Sequence, residues 1–228
     1  MGNALKTYLL VTEKKWHDAL FQQLQSDVTG NWVRYTTKEE FSGENLNRLL
    51  PDLIFIPHWS YIIPKEIYSG VNCIVFHMTD LPYGRGGSPL QNLIIRGHKE
   101  TKISAIKVSE GIDTGPVYLK KPLSLEGTAQ EIFVRSATVI KEMIREIILR
   151  NPIPVEQTGE AVVFKRRKLE ESNIATLTEP EKVYDYIRML DAEGYPKAFI
   201  ETENFHLEFS NADLENNVIK AHVTITKK

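Results

Sequence analysis

The stretch CIVFHMTDLPYGRGGSP, residues 73–89, joins an apolar run to a histidine and then to a turn rich in glycine. Its first four residues have the continuous apolar character of a central parallel strand that is covered on both faces. The Ser-Pro pair at 88–89 opens a helix-like stretch over residues 90–96. This segment therefore predicts a strand, a turn and a helix, with His77 at the carboxyl end of the strand.

The regions around this segment continue the same alternation. Apolar runs separated by helical patterns predict further strands at residues 8–11, 32–35 and 53–56. A capping box at residues 128–131 opens the longest predicted helix, over residues 129–149. The predicted fold class is α/β, with a doubly wound, mostly parallel Rossmann-like sheet formed by residues 1–150.

The two prolines in the stretch 151–154 end the long helix and predict a domain boundary. Residues 151–228 are expected to form a small C-terminal α+β appendage that binds substrate. Its predicted elements are a short strand, a helix and three antiparallel strands, at residues 161–164, 178–190, 197–202, 205–209 and 218–226.

The composition is that of an ordinary globular protein and limits the classes of function. Of the 228 residues, 42% are hydrophobic and 25% are charged, and the formal net charge of −2 counts against a nucleic-acid partner. No apolar run approaches the ~20 residues of a membrane span, and no signal peptide is expected. Because Cys73 is the only cysteine, neither a disulfide nor a thiolate metal site is expected, and the predicted location is the reducing cytoplasm.

A second motif, Asp113-Thr114-Gly115, follows one more predicted strand at residues 103–108. Taken alone, His77 fits a structural role and Asp113 fits an Asx turn. A strand-end histidine and an acid in a second loop can nevertheless meet at the carboxyl edge of a parallel sheet, where open α/β folds place their ligands. Asp113 would then hold one ring nitrogen of His77 and leave the other to move protons.

These motifs resemble the signatures of a known enzyme family. Residues 77–86 are similar to the HxSLLPxYRG motif, and residues 113–115 to the DxG motif, of the folate-dependent formyltransferases. The segment PDLIFIPHWSYIIP, residues 51–64, resembles that family's PDxIVVxAYGxILP segment. The resemblance implies a formyltransferase that uses 10-formyltetrahydrofolate as formyl donor, with His77 and Asp113 as its catalytic residues.

The resemblance also implies where the donor binds. In the family, the loop after the strand at 53–56 holds the pterin ring through backbone groups and an apolar wall. Carried over to this sequence, the residues predicted to bind the donor are Ser60, Tyr61, Ile62, Ile63, Arg85, Gly86, Gly87, Glu110, Gly111 and Ile112. No metal is expected to take part.

Two positions depart from the family pattern. The family has an Asn two residues before its histidine, and this chain has Val75 there. In the family that Asn stabilises the oxyanion of the tetrahedral intermediate, and losing such a donor costs about 3–4 kcal/mol. Either the enzyme is slow or another group replaces the Asn: Gln91 or Asn92, backbone N–H groups of the same helix, or protonated His77. Asp80 stands where the family usually has Leu, and it is either a turn residue or a contact to the acceptor amine.

The predicted acceptor is the amine of a nucleotide-linked amino sugar, because the chain looks most like the sugar N-formyltransferases. The low net charge and the short C-terminal part favour that acceptor over a tRNA. A formyltetrahydrofolate hydrolase and a non-catalytic folate- or nucleotide-binding module are the alternatives, and a homodimer is left open. Residues predicted to bind the acceptor, the last three through its diphosphate, are Asp80, Gln91, Asn92, Lys165, Arg166 and Arg167.

Overall fold

The computed structural model describes residues 5–228 of the chain. In chain order the strands are β1 (Thr7–Thr12), β2 (Asn31–Tyr35), β3 (Leu53–His58), β4 (Cys73–His77), β5 (Tyr83–Gly86), β6 (Glu100–Lys107), β7 (Val117–Ser124), β8 (Val162–Phe164), β9 (Ala198–Glu201), β10 (Phe205–Glu215) and β11 (Val218–Lys227). The α-helices are α1 (Asp18–Asp27), α2 (Gly43–Leu49), α3 (Lys65–Tyr68), α4 (Pro89–Ile95), α5 (Ala129–Arg150) and α6 (Pro180–Arg188). Across these residues, no helix is long and apolar enough to cross a membrane.

These elements belong to two compact units. The described part of the first unit comprises residues 5–85, 102–123 and 134–163, and the second unit comprises residues 86–101, 124–133 and 164–228. Each unit is therefore assembled from separate stretches of the chain. The domain boundary predicted at residue 150 stays a prediction.

The first unit is built on a six-stranded sheet with the strand order β2-β1-β3-β4-β6-β7. β1 pairs in parallel with β2 and β3, and β3 pairs in parallel with β4. β4 pairs antiparallel with β6. The predicted α/β class with a mostly parallel sheet is confirmed, and the antiparallel step at β6 is what makes the sheet mixed.

The strands in the middle of the sheet have continuous apolar sequences. Leu9 and Leu10 of β1 and Ile54, Phe55 and Ile56 of β3 are fully buried, as expected for strands covered on both faces. β3 and β4 run side by side with Ile56 opposite Val75. The loop after β3 and the turn after β4 consequently leave the sheet at the same edge.

Some local expectations fail for identifiable reasons. Leu50 continues the apolar pattern of Leu46 and Leu49, but it ends α2 with a left-handed backbone (φ 50°) and a side chain that is 75% exposed. β7 is missing from the predicted strands because Lys120, Lys121 and Pro122 interrupt its apolar pattern. Charged residues and proline are tolerated there because β7 is an edge strand of the sheet.

The second unit contains a small antiparallel sheet with the order β11-β10-β9, which confirms the predicted C-terminal meander. β10 is longer than predicted because its pairing with β11 continues past a register shift between Ser210 and Asp213. Arg188 at the end of α6 is buried, and its guanidinium donates to the carbonyl oxygens of Leu125 (2.7 Å) and Gly127 (3.0 Å).

Candidate active site

His77 is the last residue of β4, and its Nε2 atom contacts a backbone carbonyl. Nε2 is 2.7 Å from the carbonyl oxygen of Gly84, which also accepts from the Thr79 hydroxyl at 3.3 Å. A carbonyl oxygen can only accept, so this contact assigns the proton of the neutral ring to Nε2 and the lone pair to Nδ1. The turn after β4 thereby selects one tautomer of His77.

Asp113 faces the other nitrogen of the same ring. Its Oδ2 atom is 3.4 Å from Nδ1 of His77, and the two side chains are only 16% and 8% exposed. The structure therefore brings together the two residues that the sequence predicts as catalytic. A proton taken up at Nδ1 would meet a carboxylate oxygen directly.

The route by which Asp113 reaches His77 differs from the predicted one. Because β6 is antiparallel to β4, the chain leaves β6 at the amino end of β4, where Val108 N–H donates to the Cys73 carbonyl at 2.9 Å. That point lies about 13 Å from His77 along β4. The two residues do not meet through a shared carboxyl edge, and the loop after β6 must instead fold back towards the end of β4.

The fold-back of this loop depends on tight backbone geometry. Asp113 has a left-handed backbone with φ 53°, and the Thr114 hydroxyl donates to the Glu110 carbonyl at 2.6 Å. A Cβ atom at Gly115 would overlap the carbonyl oxygen of Lys107, so glycine is required there. The glycine of the Asp-Thr-Gly motif is thus explained by packing of the loop on its own strand.

Gln157 is a polar residue at this site that the sequence analysis does not identify. Its amide nitrogen donates to the carbonyl oxygens of Asp113 and Gly115, both at 2.8 Å. Its Oε1 atom accepts from Nε (3.1 Å) and a terminal nitrogen (2.8 Å) of Arg85. No sequence signal marks Gln157, because it lies in the segment between α5 and β8 and belongs to no motif.

The loops predicted to hold the donor present apolar side chains to solvent. Tyr61 and Ile62, in the loop after β3, are 45% and 84% exposed, and Ile112 is 64% exposed. Ser60, Glu110 and Gly111 are also exposed, whereas Ile63 packs against the core. The assignment of these residues to the donor stays a prediction.

Arg85, Gly86 and Gly87 are engaged by the protein itself. The guanidinium of Arg85 is held by Gln157, as described above. In the second unit, a Cβ atom at Gly86 would lie 2.5 Å from the Phe164 carbonyl oxygen, and one at Gly87 would lie 2.6 Å from Cα of Arg166. These glycines permit close backbone packing, and their predicted role in donor binding remains a prediction.

Asp80 carries a carboxylate that two lysines already neutralise. Its Oδ1 atom is 2.6 Å from Nζ of Lys120, and its Oδ2 atom is 2.9 Å from Nζ of Lys102. Partial burial alone would raise the pKa of Asp80, but the hydrogen bonds from the two lysines outweigh burial and lower that pKa. The arrangement fits the structural interpretation of Asp80 better than a contact to an amine.

Gln91 and Asn92 lie in the second unit, and both are buried. The Gln91 amide donates to the Met189 carbonyl at 3.0 Å. The Asn92 amide donates to the carbonyls of Gly87, Ser88 and Lys165 at 3.0–3.1 Å. Their hydrogen bonds within the second unit account for both side chains, and their predicted oxyanion or acceptor role stays a prediction.

The basic run after β8 also lies in the second unit. Lys165 and Arg166 are exposed, whereas Arg167 is half-buried. The Arg167 guanidinium stacks over the ring of Tyr186 at 5.2 Å and donates to the Glu171 carbonyl. Only Lys165 and Arg166 of the predicted acceptor residues therefore present a positive charge to solvent.

A second pair of histidines is His17, in a 3-10 turn (Lys15–His17) after β1, and His58, the last residue of β3. His17 is 1% exposed, and its Nδ1 atom is 2.8 Å from the Thr12 hydroxyl. Burial lowers the pKa of His17 to about 3, and the charges of His58, Arg34 and Lys14 act in the same direction. Burial likewise lowers the pKa of His58 to about 4, with a further contribution from Lys14.

Metal binding has no visible basis in the part of the chain that the structure describes. Within residues 5–228, no three His, Cys, Asp or Glu side chains group together in a way that could hold an ion. Burial raises the pKa of the Cys73 thiol to about 12, so this residue behaves as a small core side chain.

Two domain families match the chain. The family described as "Formyl transferase" matches residues 10–146, and the family described as "Methionyl-tRNA formyltransferase, C-terminal domain" matches residues 169–226. The methionyl-tRNA formyltransferase of Thermodesulfovibrio yellowstonii is 31% identical over 159 residues, which is 66% of this chain and 52% of that protein. The chain thus spans about half the length of this curated relative.

Solved structures give a second comparison. A methionyl-tRNA formyltransferase from Clostridium thermocellum has a TM-score of 0.95 and 50% identity, and the match covers 98% of this chain and 100% of that one. A sugar N-formyltransferase from a Shewanella species has a TM-score of 0.65 and 15% identity, covering 87% of this chain and 93% of that one. At that identity, the second likeness concerns the fold alone.

Proposed function

Because the chain belongs to the formyl transferase family, we propose that it transfers the formyl group of 10-formyltetrahydrofolate to an amine. The observation that carries this proposal is the contact between His77 and Asp113. These two residues match the motifs of the family, and they meet in the folded chain although they are 36 positions apart in the sequence.

The family predicted from the sequence is confirmed, because the matched formyl transferase region alone covers residues 10–146. The predicted closeness to the sugar N-formyltransferases has weaker support, since the identity to the Shewanella enzyme is 15% against 50% for the Clostridium thermocellum protein. The acceptor has to be reconsidered on that basis.

The proposed chemistry needs one proton acceptor near the reacting amine. When bound, 10-formyltetrahydrofolate supplies an electrophilic formyl carbon for the amine to attack. Because Nε2 donates to the Gly84 carbonyl, His77 can take the proton of the attacking nitrogen only at Nδ1. The amine must therefore approach Nδ1 beside the Asp113 carboxylate, which lies 3.4 Å from that nitrogen. Asp113 faces the newly charged ring, and His77 then returns the proton to the nitrogen that departs.

The oxyanion that develops at the formyl oxygen needs compensation that Val75 cannot give. We assign this role to the positive charge of protonated His77, the predicted replacement that lies with Asp113 in the first unit. The amides of Gln91 and Asn92 are instead bonded to carbonyls of the second unit. Charge is effective here because the ring is buried, and electrostatic effects are stronger in a site of low dielectric constant.

Methionyl-tRNA is the acceptor that the comparisons favour. Similarity to the Clostridium thermocellum protein extends over 98% of this chain, and the C-terminal region separately matches the methionyl-tRNA formyltransferase C-terminal domain. The exposed cations of Lys165 and Arg166 can contact phosphate groups of such an acceptor. A nucleotide-linked amino sugar stays the second candidate, because the formal net charge of −2 provides little general attraction for nucleic acid.

A direct assay separates these functions. The purified chain is incubated with 10-formyltetrahydrofolate and either methionyl-tRNA or a panel of nucleotide-linked amino sugars, and products are identified by mass spectrometry. We expect N-formylmethionyl-tRNA, formed about 10²- to 10⁴-fold more slowly with His77→Asn. Formylated sugar instead would make the sugar the acceptor. Formate released at the same rate without any amine would indicate a hydrolase, and donor binding without turnover would indicate a binding module.

A charge substitution tests the proposed phosphate contact. Arg166→Gln should raise the KM of the acceptor about tenfold and leave the KM of the donor unchanged, since a charge-assisted contact contributes about 1.5–3 kcal/mol. The matched control is Arg48→Gln, a surface arginine on α2. Equal effects of the two substitutions would assign Arg166 to a merely solvated surface.

A further inference from the structure

We propose that Gln157, together with Arg85, is a positioning residue that sets the contact between Asp113 and His77. The inference rests on the proposed formyl transfer, because it concerns the residues that hold the catalytic pair of that reaction. It gives a role to Gln157, which belongs to no family motif, and a different role to Arg85 from the one predicted for it.

The side chain of Gln157 uses all of its hydrogen-bonding capacity. Its amide nitrogen has two N–H groups, and it contacts the carbonyls of Asp113 and Gly115 at 2.8 Å each. Its Oε1 atom has two lone pairs and receives two N–H groups of Arg85. A glutamine that makes four contacts on two separate segments is placed much more rigidly than one on an open surface.

The orientation of this amide is determined by chemistry. Arg85 has only donors, so it must face the oxygen of Gln157. The backbone carbonyls of Asp113 and Gly115 are only acceptors, so they must face the nitrogen. Reversing the amide would turn all four contacts into repulsive ones. This clip, the four hydrogen bonds that join Gln157 to Arg85, Asp113 and Gly115, therefore has a single arrangement.

The hydrogen bonds of Gln157 and the contacts of His77 together form a closed ring that includes both catalytic residues. Nε2 of His77 contacts the Gly84 carbonyl, and Arg85 is the next residue in the chain. Arg85 bonds to Gln157, Gln157 bonds to the backbone of Asp113, and the Asp113 carboxylate returns to Nδ1 of His77. The turn that selects the tautomer of His77 and the loop that supplies the carboxylate are thereby tied to each other.

Asp113 needs the hydrogen bonds from Gln157 because its loop starts far from His77. The loop leaves β6 near Cys73, about 13 Å away along β4, and Asp113 itself has a left-handed backbone that is sparsely populated by residues other than glycine. Gln157 grips the carbonyls on either side of Thr114 and so holds the turn that aims the carboxylate.

Gln157 is itself anchored by backbone pairing. Two residues earlier, Val155 exchanges two hydrogen bonds with Val117 at the start of β7, at 2.8 and 2.9 Å. The segment 151–160 carries little secondary structure, and this bridge fixes it to the sheet edge of the first unit. The position of Gln157 is therefore set by the sheet and not by the loop that it holds.

Kinetics of two substitutions test the role. Gln157→Ala should lower kcat about 10- to 100-fold, because a displacement near 1 Å of a catalytic group has effects of that size. The assay uses 10-formyltetrahydrofolate and whichever acceptor reacts in the assay above, and both KM values should change less than about twofold. Gln25→Ala, the same change at an exposed glutamine of α1, is the matched control and should keep the wild-type kcat.

A double substitution separates positioning from general stabilisation. If Gln157 acts through Asp113, then Gln157→Ala should have little further effect on kcat once Asp113→Asn is present, because the carboxylate it aims is gone. The same fold decrease in both backgrounds would overturn the proposal. An unchanged kcat of Gln157→Ala in the wild-type background would also overturn it.

Gln157→Glu separates the loss of the loop contacts from a general loss of stability. Glutamate keeps a charge-assisted bond to Arg85 but turns an acceptor oxygen towards the carbonyls of Asp113 and Gly115. Its kcat should therefore fall at least as far as that of Gln157→Ala, while its thermal midpoint should be no lower than that of Gln157→Ala. If kcat among the variants follows thermal stability instead of the loss of the loop contacts, Gln157 is only structural.

A spectroscopic measurement tests the geometry without any turnover. The ring proton resonances of His77, identified by their loss in His77→Asn, should shift in Gln157→Ala in the same direction as in Asp113→Asn. Unshifted resonances would overturn the positioning role. A wild-type chain that forms no product with any acceptor would refute the proposed function alone, because this measurement would still report on Gln157.

Discussion

His77 and His17 are both buried histidines of the first unit, yet their surroundings are opposite. His77 is the last residue of β4, whereas His17 lies in a 3-10 turn, Lys15–His17, that follows β1. His77 is flanked by a carbonyl oxygen on Nε2 and a carboxylate on Nδ1. His17 is bonded to the Thr12 hydroxyl, which can either donate or accept, and the charges of His58, Arg34 and Lys14 act with burial to lower its pKa. Both rings are buried, with exposed fractions of 7% and 1%.

The difference shows that burial alone does not make a histidine fit for proton transfer. Burial and the cations around His17 keep it neutral down to a pKa of about 3, so it exchanges no proton near neutral pH. Around His77, each ring nitrogen faces an acceptor, so a proton on either nitrogen has a group to which it can bond. The polar groups that face the ring, and not its burial, distinguish a candidate catalyst from a core residue.

The largest expected effect concerns turnover. His77→Asn should lower kcat about 10²- to 10⁴-fold, the usual contribution of a general acid–base group, while the affinity for 10-formyltetrahydrofolate is retained. His17→Gln should keep a kcat near that of the wild type. Steady-state kinetics on both variants, with folding checked by circular dichroism, test the contrast. Comparable losses in the two variants would show that the two histidines are not functionally different.

The next effect concerns stability at acid pH. Unfolded His17 takes up a proton below its ordinary pKa of 6.5, whereas the folded residue stays neutral down to about 3. Between these values the unfolded state binds more protons, so the free energy of unfolding decreases as the pH falls, by at most about 1.4 kcal/mol per pH unit. His17→Gln removes this contribution.

Urea denaturation between about pH 6 and about pH 4.5 measures this difference. The free energy of unfolding should fall less steeply for His17→Gln than for the wild type, and carboxylates and His58 contribute equally to both proteins. His77→Asn provides the control for loss of a histidine elsewhere in the same unit. Parallel curves for His17→Gln and the wild type would contradict the lowered pKa of His17.

A smaller effect is expected from the partner of His17. Thr12→Val removes the hydroxyl that contacts His17 Nδ1 at 2.8 Å and accepts from the Lys14 N–H at 3.3 Å. Both polar groups would lose their partner, which should lower the free energy of unfolding by about 1–3 kcal/mol. The midpoint of urea unfolding at neutral pH, with an unchanged m-value, is the measurement.

The smallest effect is expected from the corresponding residue near His77. Thr79→Val removes a hydroxyl that donates to the Gly84 carbonyl at 3.3 Å, but that carbonyl keeps its contact with His77. The expected loss is about 0.5–1.5 kcal/mol, since no acceptor is left unpaired by this change. A larger loss for Thr79→Val than for Thr12→Val would reverse the order given by the two sets of contacts.

Much of the fold follows from local sequence, and the failures have physical causes. The strand Cys73–His77 is predictable because an unbroken apolar run suits burial on both faces. β7 is not, because two lysines and a proline weaken its pattern, and an edge strand tolerates them. The exposed Leu50 shows the same limit, because the residue that ends a helix need not follow the helical pattern.

The sequence by itself determined the α/β class and the succession of strands and helices along the chain around His77. These depend on hydrophobic period and turn residues, which are properties of neighbours along the chain. The pairing of His77 with Asp113 was predicted through the resemblance of two motifs to those of a known family. Only the tertiary structure decided the antiparallel direction of β6, the fold-back that aims Asp113, and the clip that Gln157 makes with Arg85. Those contacts join residues far apart in sequence, and hydrogen bonds of that kind leave no periodic trace in the segments that form them.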